Sequence, residues 1–236
     1  MFGTTIETFR ASRILTSILA LITLSVIVAF ALENHTDSLD IIIFALIIIP
    51  LIFIIFWLWS VEIKIYNDGI SSKTILGKQE IRWEDVSRLT YSATKQSVNF
   101  IPVGTYYDMK LENMQGQKIH IGNRVNGMQS LSTHIINYTQ APLYNKIVNQ
   151  FNSGSDLDFG AIKLNRNNGF KAKGLFRTIT VPLNQVIGYR IEKGQFHIFK
   201  QGKKYAAISA PISKAPNAFA LLALLDALYK RDAKSS

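Results

Sequence analysis

The sequence predicts an α+β chain, mainly β, carried on a two-helix transmembrane hairpin. Three features predict it. Two long uncharged apolar runs lie within the first 60 residues, an alternating apolar pattern with Gly and Asn turns follows Val61, and that pattern restarts about 100 residues later. The implied organisation is an N-terminal segment and hairpin over 1–60, then two small barrels or bent sheets over 61–152 and 153–236, each closed by a C-terminal helix.

The apolar runs come first. Ile14–Leu32 and Ile41–Ser60 contain no Asp, Glu, Lys or Arg. At a rise of roughly 1.5 Å per residue, each covers about the 30 Å of a hydrocarbon core. Backbone groups in lipid must be satisfied within the segment, so both runs are predicted as helices, about 14–32 and 41–60. Pro50 predicts a kink in the second, and Trp57 and Trp59 at its end are candidate membrane-interface anchors. Ser17, Ala20 and Thr23 are the small residues expected to let the helices approach closely. A cleaved signal peptide is the rival for the first run, but its apolar core is long for that role and no A-x-A site follows. An uncharged pair of spans reads as an anchor rather than a transport path.

Orientation follows from flanking charge. Arg10 and Arg13 precede the first run, Lys64, Lys73 and Lys78 follow the second, and the connector holds Glu33, Asp37 and Asp40 with no Lys or Arg. The positive-inside rule then puts both termini in the cytoplasm and the loop 33–40 outside.

Past Val61 the period changes. Ile63 and Ile65 alternate with Lys64 and Tyr66, Asn67-Asp68-Gly69 turns, and further short strands lead to Met128, Leu131 and Ile135 at helical spacing. In the second round, Ile162-Lys163-Leu164 matches Ile63-Lys64-Ile65 and Asn167-Asn168-Gly169 matches Asn67-Asp68-Gly69. Ala218 to Leu228 closes this round as a helix with Phe219, Leu222, Leu225 and Leu228 on its apolar side. A tandem duplication accounts for the shared phase and turn placement.

Ile65-Tyr66-Asn67-Asp68-Gly69-Ile70, then Gly77, then Ile81-Arg82-Trp83-Glu84-Asp85-Val86 resembles the opening of bacterial pleckstrin-homology-like (PH-like) domains. The second round keeps Gly169 and the Val181 to Val186 corner, with Leu183 in place of the tryptophan. Asp158-Phe159-Gly160-Ala161-Ile162 and Pro216-Asn217-Ala218 through Leu225 also resemble an uncharacterised family of bacterial membrane proteins. The resemblance implies two PH-like barrels at a bacterial inner (cytoplasmic) membrane. It implies no catalytic residues.

Charge distribution supplies the candidate site. The chain carries +10 overall. Residues 61–152 hold 10 Lys+Arg against 7 Asp+Glu, a net of +3, whereas residues 153–236 hold 14 against 5, a net of +9. Strand alternation around Gly169 turns Ile162, Leu164, Phe170 and Ala172 inward, so Lys163, Lys171 and Lys173 share the outward face. With Arg177, Lys203 and Lys204 they are the candidates for an anionic surface or lipid headgroup. A solvated basic face is the plainer reading of the same residues. Nucleic acid is disfavoured, because no aromatic stacking series accompanies the lysines.

Residues Ser92–Tyr107 form a long insertion without a counterpart in the second round, and Phe100, Ile101, Tyr106 and Tyr107 in it are candidates to contact a partner. With no cysteine, thiolate chemistry and disulfides are excluded. The four histidines lack metal-site spacing, and no phosphate loop or serine elbow occurs, so no cofactor and no metal is expected. The expected function is a membrane-anchored, non-enzymatic cytoplasmic interaction module binding a protein partner, a second copy of itself or an anionic membrane surface. The alternative is a structural or regulatory subunit of a larger membrane transport or envelope complex.

Overall fold

The computed structural model describes residues 2–11, 13–32, 38–98, 101–123, 125–174 and 178–232. The backbone packs as two compact units, residues 1–80 with 123–131 and residues 81–122 with 132–236. The fold is mixed α and β, mainly β, with antiparallel sheets throughout.

The first unit is a sheet with a helical hairpin set into it. Strand β1 (Thr5–Arg10) is followed by helix α1 (Arg13–Leu32), helix α2 (Ser38–Ser60), β2 (Glu62–Tyr66), β3 (Gly69–Thr74) and β4 (Gly77–Arg82), in the sheet order β1-β2-β3-β4. The sequence reading assigned no strand before α1. Only Phe9 of β1 is buried, so this strand lacks the alternation that would have announced it. Its register with β2 runs to Arg10 opposite Glu62, and Ala11 continues into a bridge with Val125. Inside, Phe9, Ile63, Ile65, Ile70 and Val125 form the core, each contributing about 1.5–3 kcal/mol by leaving water.

The two helices pack along heptad-spaced seams. On α1 the covered positions are Thr16, Leu19, Thr23, Ile27 and Phe30, and on α2 they are Phe44, Ile48, Leu51, Ile55 and Leu58. Phe30 stacks on Phe44 at 3.9 Å between ring centroids. Of the three small residues expected in the seam, Thr23 is there, but Ser17 and Ala20 face outward. Thr16 takes that place instead. Both threonine hydroxyls donate to the preceding turn, Thr16 to the Arg13 carbonyl at 2.9 Å and Thr23 to the Leu19 carbonyl at 2.8 Å. Pro50 lies on the exposed side of α2, which runs unbroken through it. One helix, Leu39–Ser60, is long and apolar enough to cross a membrane, and α1 adds a shorter apolar stretch, Thr16–Leu32.

The second unit holds β5 (Val86–Val98), β6 (Ile101–Asn113) and β7 (Lys118–Ile121) in one sheet. A second sheet orders as β11-β10-β9-β8, from β8 (Leu157–Phe159), β9 (Ile162–Asn165), β10 (Gly169–Lys173) and β11 (Thr178–Val181). The third comprises β12 (Val186–Glu192), β13 (Gln195–Lys200) and β14 (Ile208–Pro211). Helix α3 (Met128–Asn152) follows β7, and α4 (Ala218–Asp232) ends the chain. Read along the chain, a four-stranded sheet, a three-stranded sheet and a helix occur twice. Among the described residues none of these sheets closes into the barrel expected of each round.

On α3 the covered side chains recur every three or four residues, at Leu131, Ile135, Thr139, Leu143, Ile147 and Phe151. Trp83 is buried and stacks on Tyr138 at 5.3 Å between ring centroids. On α4 the buried face is Ala220, Leu221, Leu224 and Leu225, turned from the predicted stripe so that Phe219, Leu222 and Leu228 lie at its margin. The turn is set by Asn217 just before the helix, at φ +55°. Its amide spans two backbone groups of β5: Leu89 N–H donates to Asn217 Oδ1 at 2.8 Å, and Asn217 Nδ2 donates to the Ser87 carbonyl at 3.0 Å. Its own N–H donates to the Leu89 carbonyl at 2.7 Å.

Two outcomes follow from these contacts. Asn217→Ala removes both side-chain bonds and leaves a β-carbon residue at positive φ, so it should lower stability by about 2–3 kcal/mol. Urea unfolding of the full chain in micelles, read by Trp83 emission in a Trp57→Phe/Trp59→Phe background, checks this. Tyr189 Oη donates to Asp226 of α4 at 2.6 Å. Burial first, and that hydrogen bond second, push its phenol up to about 12. A folded value above the unfolded one of about 10 means that this contribution is present below pH 10 and fades as pH rises toward 12. In a phenolate absorbance titration Tyr189 should ionise later than the exposed tyrosines, and Asp226→Asn should lower the midpoint of that late phase.

Candidate functional site

The outward face of β9 and β10 in the second unit gathers three of the predicted lysines. The Asn165 side chain builds the β9–β10 turn by accepting from the Asn167 and Asn168 amides at 2.9 and 3.1 Å. Gly169 completes it at φ +75°, where a β-carbon would stand 2.2 Å from the Val181 carbonyl oxygen. Only glycine lets β10 lie this close to the chain leaving β11. The turn fixes the register: Lys171 stands opposite Lys163 on one side and Thr180 on the other, and Lys173 stands opposite Thr178. Ile162, Leu164, Phe170 and Ala172 point inward and are buried, as the alternation predicts.

With the β8–β9 turn these side chains line a concavity of about 650 Å³, whose walls are Gly160, Ala161, Lys163, Lys171, Lys173 and Thr178. The turn itself is held by Asp158, which accepts from the Gly160 amide at 2.7 Å. Asp158 also stands opposite Lys163 in the β8–β9 ladder. None of the three lysines forms an ion pair among the described residues. Two like charges directly opposite each other in a ladder destabilise it by a few tenths to about 1 kcal/mol. An anion seated between them would reverse the sign of that interaction. Chemically the site can hold a phosphate, sulfate or carboxylate; it offers no nucleophile.

The other predicted residues are elsewhere. Lys203 and Lys204 are exposed in the β13–β14 connection and do not line the concavity; Lys204 lies over the Tyr205 ring at 5.9 Å. Arg177 lies outside the described residues. Trp57 and Trp59 fall in the last turn of α2, Trp57 partly covered and Trp59 71% exposed. The segment Ser92–Tyr107 is no loop: β5 and β6 pair along it, making a two-stranded ribbon that runs past the end of β7. Its Thr, Tyr and Val residues favour a strand. Phe100 lies outside the described residues, Ile101 begins β6, Tyr106 is exposed, and Tyr107 packs tilted against Tyr91 at 6.5 Å.

A larger concavity of about 800 Å³ lies on the β5–β6–β7 face, and sequence reasoning missed it. Its charges answer one another. His120 Nε2 lies 2.5 Å from Asp108 Oδ1, and Lys118 lies 3.7 Å from Glu112, which stands beside Arg88 in the ladder. Cross-strand pairing of opposite charges stabilises the sheet and leaves little for a ligand. The β9–β10 face is the better candidate because its three lysines outnumber the one carboxylate opposite them, Asp158, and none of them forms an ion pair among the described residues. Full-length protein in neutral micelles should bind inositol hexakisphosphate in calorimetry, and Lys163→Glu/Lys171→Glu/Lys173→Glu should weaken it by about 100-fold or more at about 1 kcal/mol per charge. Lys203→Glu/Lys204→Glu should weaken it far less. Lys171→Gln alone should raise the unfolding temperature while weakening binding, since it relieves the repulsion.

No curated protein and no solved structure matches the chain. A family model matches residues 1–234, covering the hairpin, all the sheets and the whole of α3 and α4. The chain therefore belongs to the family of unknown function DUF6585.

Proposed function

We propose that the protein is a membrane-anchored, non-enzymatic interaction module. In this reading α1 and α2 form a transmembrane hairpin, the sheet-sheet-helix series is a duplicated PH-like domain, and both termini lie in the cytoplasm of a bacterial cell. The β9–β10 face takes the anionic groups of a protein or of a lipid surface. The observation that carries this reading is the exposure of large apolar side chains along α2, among them Leu46, Ile49, Phe53, Phe56 and Trp59. A patch of that kind is untenable in water and ordinary in lipid. Support for the duplication comes from element placement: β2, β3, β4 and β5 begin at residues 62, 69, 77 and 86, and β9, β10, β11 and β12 at 162, 169, 178 and 186.

Because the chain has no cysteine, single-cysteine labelling reports topology cleanly. The protein should resist extraction from membranes by alkaline carbonate. Thr36→Cys should react with a membrane-impermeant maleimide in intact cells, and Ser153→Cys only after lysis. Release by carbonate, or labelling of Ser153→Cys in intact cells, would sink the reading. Stoichiometric co-purification of other membrane proteins would favour the subunit alternative instead.

A further inference from the structure

The base of the hairpin carries a cavity of about 420 Å³ that an anchor does not need. Arg10, Arg13, Ser17, Leu58, Trp59 and Glu62 line it. Its position is fixed by covalent order and register. Arg10 stands opposite Glu62 in the β1–β2 ladder, Arg13 opens α1, and Leu58 and Trp59 lie in the last turn of α2. The cavity thus straddles the boundary at which the uncharged runs end and the charged chain begins. For a spanning hairpin that boundary is the headgroup layer.

Its charge favours an anion. Glu62 is the one carboxylate in the lining and is already answered: Lys64 Nζ lies 2.8 Å from it and Arg10 3.6 Å. The Lys64 ammonium beside it is the main cause holding its carboxyl below the usual range. Arg10, Arg13 and Lys64 against Glu62 leave a net of two positive charges, and Arg13 forms no ion pair among the described residues. The backbone beneath is held on both sides, because β1 pairs with β2 and the Asn126 amide donates to the Arg10 carbonyl at 2.9 Å. The guanidinium groups therefore project from a rigid base, which lowers the ordering cost of binding. The other wall is apolar, with the exposed Trp59 indole beside Leu58.

A matching ligand has an anionic phosphate at one end and hydrocarbon at the other. We propose that this cavity binds the phosphodiester of an anionic phospholipid, with Arg13 and Arg10 on the phosphate, Ser17 as an additional donor and Trp59 against the glycerol and upper acyl region. The proposal rests on the membrane-spanning reading of the hairpin, and it is separate from the β9–β10 lysine face.

The full chain carrying Trp57→Phe and Trp83→Phe keeps Trp59 as its only indole. In neutral detergent micelles, brominated phosphatidylglycerol should quench Trp59 at a mole fraction about tenfold lower than brominated phosphatidylcholine, and Arg13→Gln should remove most of that difference. Ser17→Leu, which keeps the charges but fills the cavity, should do the same, with circular dichroism unchanged in both variants. Millimolar inorganic phosphate should not displace the lipid. Equal quenching by the two lipids, an Arg13→Gln curve that matches the parent, or displacement by inorganic phosphate overturns the proposal. Carbonate release of the protein from membranes would instead remove the spanning reading on which the proposal rests.

Discussion

The pairing of β1 with β2 is the constraint on which the first unit depends. Arg10 and Glu62 face each other across one ladder, and the whole hairpin lies between them in sequence. Neighbouring strands stand about 4.8 Å apart, whereas packed helices need about 8–10 Å between axes. The chain has only residues 11 and 12 on one side and Val61 on the other in which to widen from one spacing to the other. Ala11 and Val61 are both buried, and Ala11 is pinned a second time through Val125. The ends of the helices are therefore tied closely to the sheet through Ala11 and Val61.

Most of this architecture is legible in the sequence where one physical signal dominates. Uncharged runs fix α1 and α2 because lipid-length apolarity has few other uses. Period-2 alternation fixes β2, β9 and β10, whose inner and outer residues differ sharply. The signal fails where side chains no longer separate by face. Strand β1 buries only Phe9, so the pairing that frames the hairpin is invisible until its partner is known. The β5–β6 ribbon is stabilised by cross-strand bonds between residues that read individually as loop or strand. The helix seam favoured Thr16 over Ala20 because the heptad phase of α1, rather than residue size alone, decides which side faces the neighbour.

The candidate face was legible for the same reason as the strands. Lys163, Lys171 and Lys173 alternate with buried residues, so their common side follows from the pleat alone. Lys203 and Lys204 belong to another sheet, a separation that net charge cannot reveal. Nor does composition separate the two concavities of the second unit. One sets Asp108 against His120 and Glu112 against Lys118, and its charges serve the sheet. The other sets lysine against lysine at some cost to the ladder. Asn217 shows a further limit, since its partners lie 128 and 130 residues away, and only the folded chain brings an Asn at positive φ beside the backbone of β5.

The composition of β1 has a consequence for synthesis. This strand leaves the ribosome ahead of its neighbour β2, which follows only after both helices have been made. Through that interval its backbone donors and acceptors have no ladder to join, and a strand rich in apolar residues would seek one elsewhere. Thr5, Glu7, Thr8 and Arg10 are polar, and Phe9 is the one side chain the strand buries. The same polarity that hid β1 from sequence patterning lets it wait in water until the hairpin is placed and β2 arrives.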